Sequence, residues 1–210
     1  MQNQKINYQN VLEKTLSTLN EKKSLLLHAC CAPCSSYVIE YLSQYFDITI
    51  FYYNPNIHPK TEYERRLQEL RDFLPRFPKA AGISLVETDY EPEDFFAATN
   101  VRNDPDLQTE HEMGERCRRC YEFRMRRAWK YAEAHHFDFF TTTLSISPHK
   151  DSAKINAIGE TLQRESQTNL QYLFSDFKKK AGFLRSLEIS SEYGLYRQDY
   201  CGCVFSMRKD

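Results

Sequence analysis

The chain has no long apolar run, almost no net charge, and no glycine where a nucleotide-binding loop would need one. Each absence closes off a class of function. A membrane-spanning helix takes about 20 consecutive apolar residues, and no stretch approaches that. The opening residues, MQNQKINYQN, hold no apolar signal-peptide core, so the expected location is cytoplasmic. A net charge of −1 gives the molecule as a whole no polyanion-binding signature. No glycine lies between Ser24 and Tyr45, which argues against a phosphate-cradling loop after the first predicted strand. With neither repeats nor low-complexity linkers, residues 1–210 read as a single domain. At 41% hydrophobic and 14% aromatic, that domain can fill a core without disulfide staples.

What is present is sulfur. Seven cysteines fall in three tight groups: Cys30-Cys31-x-x-Cys34, Cys117-x-x-Cys120 and Cys201-Gly202-Cys203. In a reducing compartment such groups read as metal-binding or catalytic rather than as a disulfide framework. Thiolates are soft ligands that select iron–sulfur clusters, zinc or copper(I). Four of them suit a [4Fe–4S] or [2Fe–2S] cluster, or structural zinc. A closed zinc site would leave three sulfurs idle, so the count favours iron–sulfur with redox chemistry beside it. The C-x-x-C pair also admits a thioredoxin-like dithiol. The C-G-C segment admits either a strained disulfide or a wide-bite metal site, with Gly202 supplying backbone freedom.

Periodicity predicts helices over about Tyr8–Leu19, from Ser35 or Ser36 to Tyr45, and over Lys60–Leu74, Glu91–Thr99, Arg118–His135, Asp151–Gln167 and Ala181–Ser190. Strands are predicted at Ser24–His28, Ile48–Tyr53, Ile83–Val86 and Phe137–Leu144, with Asn103–Asp106 as loop. Alternation of this kind implies an α/β domain, its sheet largely parallel and covered by helices on both faces. Ligands gather outside the carboxyl ends of such strands. The first cysteine group and the loop Ser145–Asp151 would therefore share that edge. Residues 1–20 form an N-terminal helix outside the recognised motifs, 116–135 a basic helix led by the C-x-x-C, and 196–210 a C-terminal segment with the C-G-C.

Five motifs occur in order between residues 24 and 205: Leu25–Cys34 (LLLHACCAPC), Tyr53–Pro59 (YNPNIHP), Arg116-Cys117-x-x-Cys120-Tyr121, Ser145-x-Ser147-Pro148-His149-Lys150-Asp151, and Tyr200–Cys203 (YCGC). Together they resemble the QueH-type epoxyqueuosine reductases. The resemblance implies a nucleotide-hydrolase-like (HUP-like) α/β fold. It also implies cobalamin-independent reduction of epoxyqueuosine to queuosine at the wobble position of tRNA, the last step of queuosine biosynthesis. It places [4Fe–4S] ligands on Cys30, Cys31, Cys117 and Cys120 and a redox-active pair on Cys201 and Cys203. A second, mononuclear iron also belongs to that picture, with Cys34 and the C-G-C pair as its candidate ligands.

Removing an epoxide oxygen takes two electrons and a proton or Lewis acid for the departing oxyanion. Candidate proton donors are His58, His149 and Tyr200. For tRNA binding the candidates are Arg116, Arg118, Arg119, Tyr121 and Lys150, within a basic stripe from Arg116 to Lys130 and supported by Lys178–Lys180. An aromatic such as Tyr121 or Tyr200 would stack on a splayed base. The alternative is a zinc-stabilised RNA-binding module without redox activity, which leaves the C-G-C unused. The sequence names neither the electron donor nor the oligomeric state.

Overall fold

A computed structural model describes residues 6–207. The chain-terminal ends of the predicted N-terminal and C-terminal segments (1–5 and 208–210) lie outside the described residues. The first helix, α1 (Tyr8–Leu16), is capped by Asn7 and ends three residues before the periodicity does. It leads into β1 (Lys23–Ala29), α2 (Ala32–Leu42) and β2 (Phe46–Tyr52). Next come α3 (Lys60–Phe73), β3 (Ser84–Glu87), α4 (Pro92–Thr99) and a five-residue helix α5 (Pro105–Thr109). The second half holds α6 (Glu115–Ala134), β4 (Phe139–Thr142), α7 (Ser152–Glu165), a two-residue β5 (Gln171–Tyr172) and α8 (Gly182–Glu192).

The five strands form one sheet in the order β3-β2-β1-β4-β5, with every neighbouring pair parallel. The chain builds outward from β1 to β3, then returns to β1's other side to start β4. The connections on either side of that reversal diverge, and a crevice opens at the carboxyl ends of β1 and β4.

β1 shows how sequence period becomes architecture. Leu25, Leu27 and Ala29 enter one buried cluster with α1, α2, α3 and α8, while Leu26 enters another with Phe51, Phe140 and the inner faces of α6 and α7. A strand covered on both faces has no polar alternation, hence the continuous apolar run.

Four elements differ from the sequence expectation, one of them the two-residue β5, which is too short to carry an apolar period. The second helix begins at Ala32, with Cys31 as its cap, because Pro33 pre-sets a helical φ in the first turn. Ser35 and Ser36 instead donate to the carbonyls of Cys31 and Pro33 inside that helix. Of the apolar run 137–144 only Phe139–Thr142 is strand, since Thr143–Ile146 winds into a 3-10 turn capped by the Thr142 hydroxyl. The segment expected as loop contains α5, nucleated by Asp104, whose carboxylate accepts from the N–H groups of Asp106 and Leu107.

Candidate functional site

The turn from β1 into α2 brings three sulfurs together. The Sγ atoms of Cys30, Cys31 and Cys34 all lie within 4.8 Å of one another, and Cys30 and Cys31 are 3.8 Å apart. Extended backbone at Cys31 and helical backbone from Ala32 turn the adjacent side chains toward one point. The Cys34 N–H (3.3 Å) and the Gln198 side-chain amide (3.4 Å) both donate to the Cys31 sulfur.

Hydrogen bonds from its two cysteine neighbours, helped by Arg124 and Lys150, hold the Cys30 thiol well below its ordinary range despite burial. Burial pushes Cys31 up to about 12, and hydrogen bonding to the other two thiols raises Cys34. Within the trio the negative charge is therefore favoured on Cys30 over Cys31 and Cys34.

The second group lies on the first turns of α6. Cys120 is buried against Phe95 and Cys203, while Cys117 is part-exposed. Burial raises both thiols, Cys120 to about 11, with Arg124 opposing the shift at Cys120.

The C-G-C segment is anchored by its backbone. Gly202 has φ of +101°, open to glycine at little cost, and a Cβ there would lie 2.9 Å from Ile57 and 3.0 Å from the Arg66 guanidinium. The His58 N–H donates to the Gly202 carbonyl at 2.7 Å, and the Tyr200 hydroxyl donates to the His58 carbonyl. Arg66, 1% exposed and paired with Glu62 at 2.6 Å, donates to the carbonyls of Cys201 and Tyr200.

Within this hairpin the two thiols differ. Burial works against the Cys201 thiolate, but the Lys150 ammonium, the Cys203 N–H and the Ser206 hydroxyl outweigh it and lower the thiol. Cys203 is raised by burial and by the neighbouring charge of Cys201.

The first and third groups frame a cavity of about 530 Å³ at the crevice between the β1 and β4 loops. Cys30, Cys34, His149, Lys150, Tyr200 and Cys201 line it. Lys150 is part-buried there. Burial opposes its charge, yet Cys201, Tyr121 and Cys30 hold the ammonium above its usual range.

The family model described as Epoxyqueuosine reductase QueH matches residues 25–209 of this chain. The chain belongs to the QueH family. Among curated relatives, the epoxyqueuosine reductase QueH of Staphylococcus epidermidis is 44% identical over 214 residues, spanning 100% of this chain and 88% of the relative. Those of Streptococcus pyogenes and Staphylococcus aureus are each 42% identical over 211 residues, spanning 98% of this chain and 80% and 86% of the relatives.

The donor set of this QueH chain fits a thiolate-bound metal centre. Sulfurs sharing one ion at about 2.3 Å in a tetrahedral array stand roughly 3.8 Å apart, the spacing found between Cys30 and Cys31. The buried Arg124 and the part-buried Lys150 supply positive charge that offsets the accumulated negative charge. The trio that converges is Cys30, Cys31 and Cys34, with Cys117 and Cys120 outside it.

Several sequence candidates stand elsewhere than expected. His58 does not line the cavity, because its ring packs against Phe96 and Tyr90 and its backbone serves the hairpin. Tyr200 lines the cavity, but its hydroxyl is engaged by His58. His149 is exposed at the rim.

Arg116 is 3% exposed and donates to the Leu107 and Gln108 carbonyls, so it is a brace for α5 rather than a phosphate contact. Tyr121 is buried beneath Lys150, with no face free for a base. Arg118 and Arg119 are part-exposed but paired with Glu115, and Arg118 also with Glu122. Sequence reasoning weighed only Glu122 as an acid on this helix and so missed the neutralisation. It also missed Arg66, Arg124, Asn54 and Gln198, whose roles depend on contacts 70 to 167 residues apart.

Proposed function

We propose that this chain reduces epoxyqueuosine to queuosine at the wobble position of tRNA. The carrying observation is the meeting of the first and third cysteine groups at one cavity at the switch point of the sheet, in a chain of this family. Cys30, Cys31, Cys117 and Cys120 would hold a [4Fe–4S] cluster, with Cys34 and the C-G-C pair the candidate ligands of a second iron. When bound, these centres supply single electrons and Lewis acidity.

The remaining chemistry belongs to the chain. Converting an epoxide to an alkene consumes two electrons and two protons and releases water. Oxidation of the Cys201–Cys203 dithiol to its disulfide supplies the same two electrons and two protons, and an external reductant restores it. Cys201 faces the cavity and carries the more acidic thiol, while Cys203 is buried behind it. Lys150 places a positive charge where an oxyanion would develop. His149, exposed at the rim, is the proton donor that this geometry favours, with Tyr200 held in place by its bond to His58.

Anaerobic purification with iron and sulfide quantification, followed by single-turnover reduction of epoxyqueuosine-containing tRNA, tests this reading. Brown protein with acid-labile sulfide and queuosine as product supports it. The close Cys30–Cys31–Cys34 trio also suits zinc in an RNA-binding module. Colourless zinc protein that binds tRNA without reducing it would establish that alternative.

A further inference from the structure

Arg124 is a buried charge that the reaction above does not use. It is 3% exposed, and its position on α6 follows Cys117 and Cys120 at i+7 and i+4, so the three share one helix face. One guanidinium N–H donates to the Asn54 side-chain oxygen. The Asn54 amide in turn donates to the Ala29 carbonyl at 2.9 Å, immediately before Cys30. This relay ties the helix carrying the second cysteine group to the strand end carrying the first. The Arg124 Nε–H, also buried, has no partner among protein atoms.

Burial works against the charge of Arg124. What holds it charged is the proximity of the Cys120 and Cys30 sulfurs. A buried guanidinium with an unengaged donor among thiolates is built to meet more anionic sulfur than the protein itself provides.

The geometry points to Arg124 as the residue that sets the reduction potential of the bound cluster, its Nε–H donating to a cluster sulfur while Asn54 fixes the plane of the guanidinium. This rests on the cluster assignment above. A fixed cation and an N–H donor both stabilise the more negative, reduced state, so they raise the potential.

The test is an EPR-monitored redox titration of anaerobically reconstituted wild-type, R124K and R124M proteins, with iron and sulfide counted in each. R124M is expected to take up the same iron and sulfide and to titrate at a more negative potential. R124K, keeping the charge without the planar donor set, is expected to fall between. Equal midpoint potentials in all three would overturn the assignment. Should R124M fail to fold or to hold iron, R124K decides alone, and an unshifted potential in R124K overturns it. Wild-type protein without iron and sulfide would instead bring down the cluster reading, and this inference with it.

Discussion

Gly202 concentrates in one residue the constraints that hold Cys201 and Cys203 in place. Its φ of +101° and the closeness of Ile57 and Arg66 leave no room for a β-carbon. Gly202→Ala is expected to cost about 1–2 kcal/mol locally and to displace the hairpin, seen as faster labelling of Cys203 by a thiol reagent and loss of turnover. The two thiols beside it should behave unequally. In reduced, metal-free protein at pH 8, iodoacetamide is expected to label Cys201 at least about tenfold faster than Cys203, read by peptide mass spectrometry. The reason is that Cys201 is cavity-facing and lowered while Cys203 is buried and raised. Equal rates would remove the assigned order of the pair.

Glu62 and Arg66 form the buried ion pair under that hairpin. Glu62→Gln leaves Arg66 without its counter-charge and is expected to destabilise the protein by roughly 3–5 kcal/mol, measured by urea unfolding. Neither residue announces itself in the sequence. Both sit in a Glu- and Arg-rich helix that reads as a solvated face, and only tertiary burial separates Arg66 from the exposed Arg65 beside it.

At the scale of elements, α6 shows what charge patterning conceals. Its stripe looks like a phosphate track, yet Glu115, Glu122 and Glu165 answer Arg118, Arg119 and Arg126. Exposed pairs of this kind contribute little to stability, but they do occupy the guanidinium groups. The exposed cation at the mouth of the cavity is Arg197, on the segment after α8. Arg197→Ala is expected to lower the slope of log K against log salt for tRNA binding by about 1, while Arg118→Ala changes it by much less. A larger effect at Arg118 would return the tRNA to α6.

Strands β1 to β4 and the long helices were legible in the sequence because their apolar period reports on local geometry, whereas the two-residue β5 carries no period. The β1 and β4 loops could likewise be assigned to one edge, since parallel topology admits few alternatives. The site was legible in its sulfurs and not in its supports. Arg66, Arg124, Asn54 and Gln198 are common residue types whose meaning comes from partners distant in sequence. The 3-10 turn after β4 was hidden because an apolar run does not say where strand pairing stops.

For the whole molecule, the division of labour is between a sheet that supplies position and three sulfur-bearing segments that supply chemistry. Removing Gln198 and everything after it is expected to leave the far-UV circular dichroism of the α/β unit nearly unchanged, because neither core cluster on the two sheet faces includes residues from that segment. The same deletion takes away the amide that donates to Cys31 and the hairpin lining the cavity. Cys30, Cys31 and Cys34 should then react faster with a chromogenic disulfide. Unchanged thiol reactivity would show that the segment does not cover them.

The order in which the chain is made differs from the order in which the site closes. Cys201 follows β5, the last strand, by 29 residues (201 − 172). At roughly 5–20 residues per second that is roughly one to six seconds of synthesis. Through that interval all five strands and the first five cysteines have been synthesised, while the segment that will cover them has yet to be translated. A metal taken up by Cys30, Cys31 and Cys34 would thus have a time window as well as a place, and slowing translation between residues 173 and 200 would lengthen it.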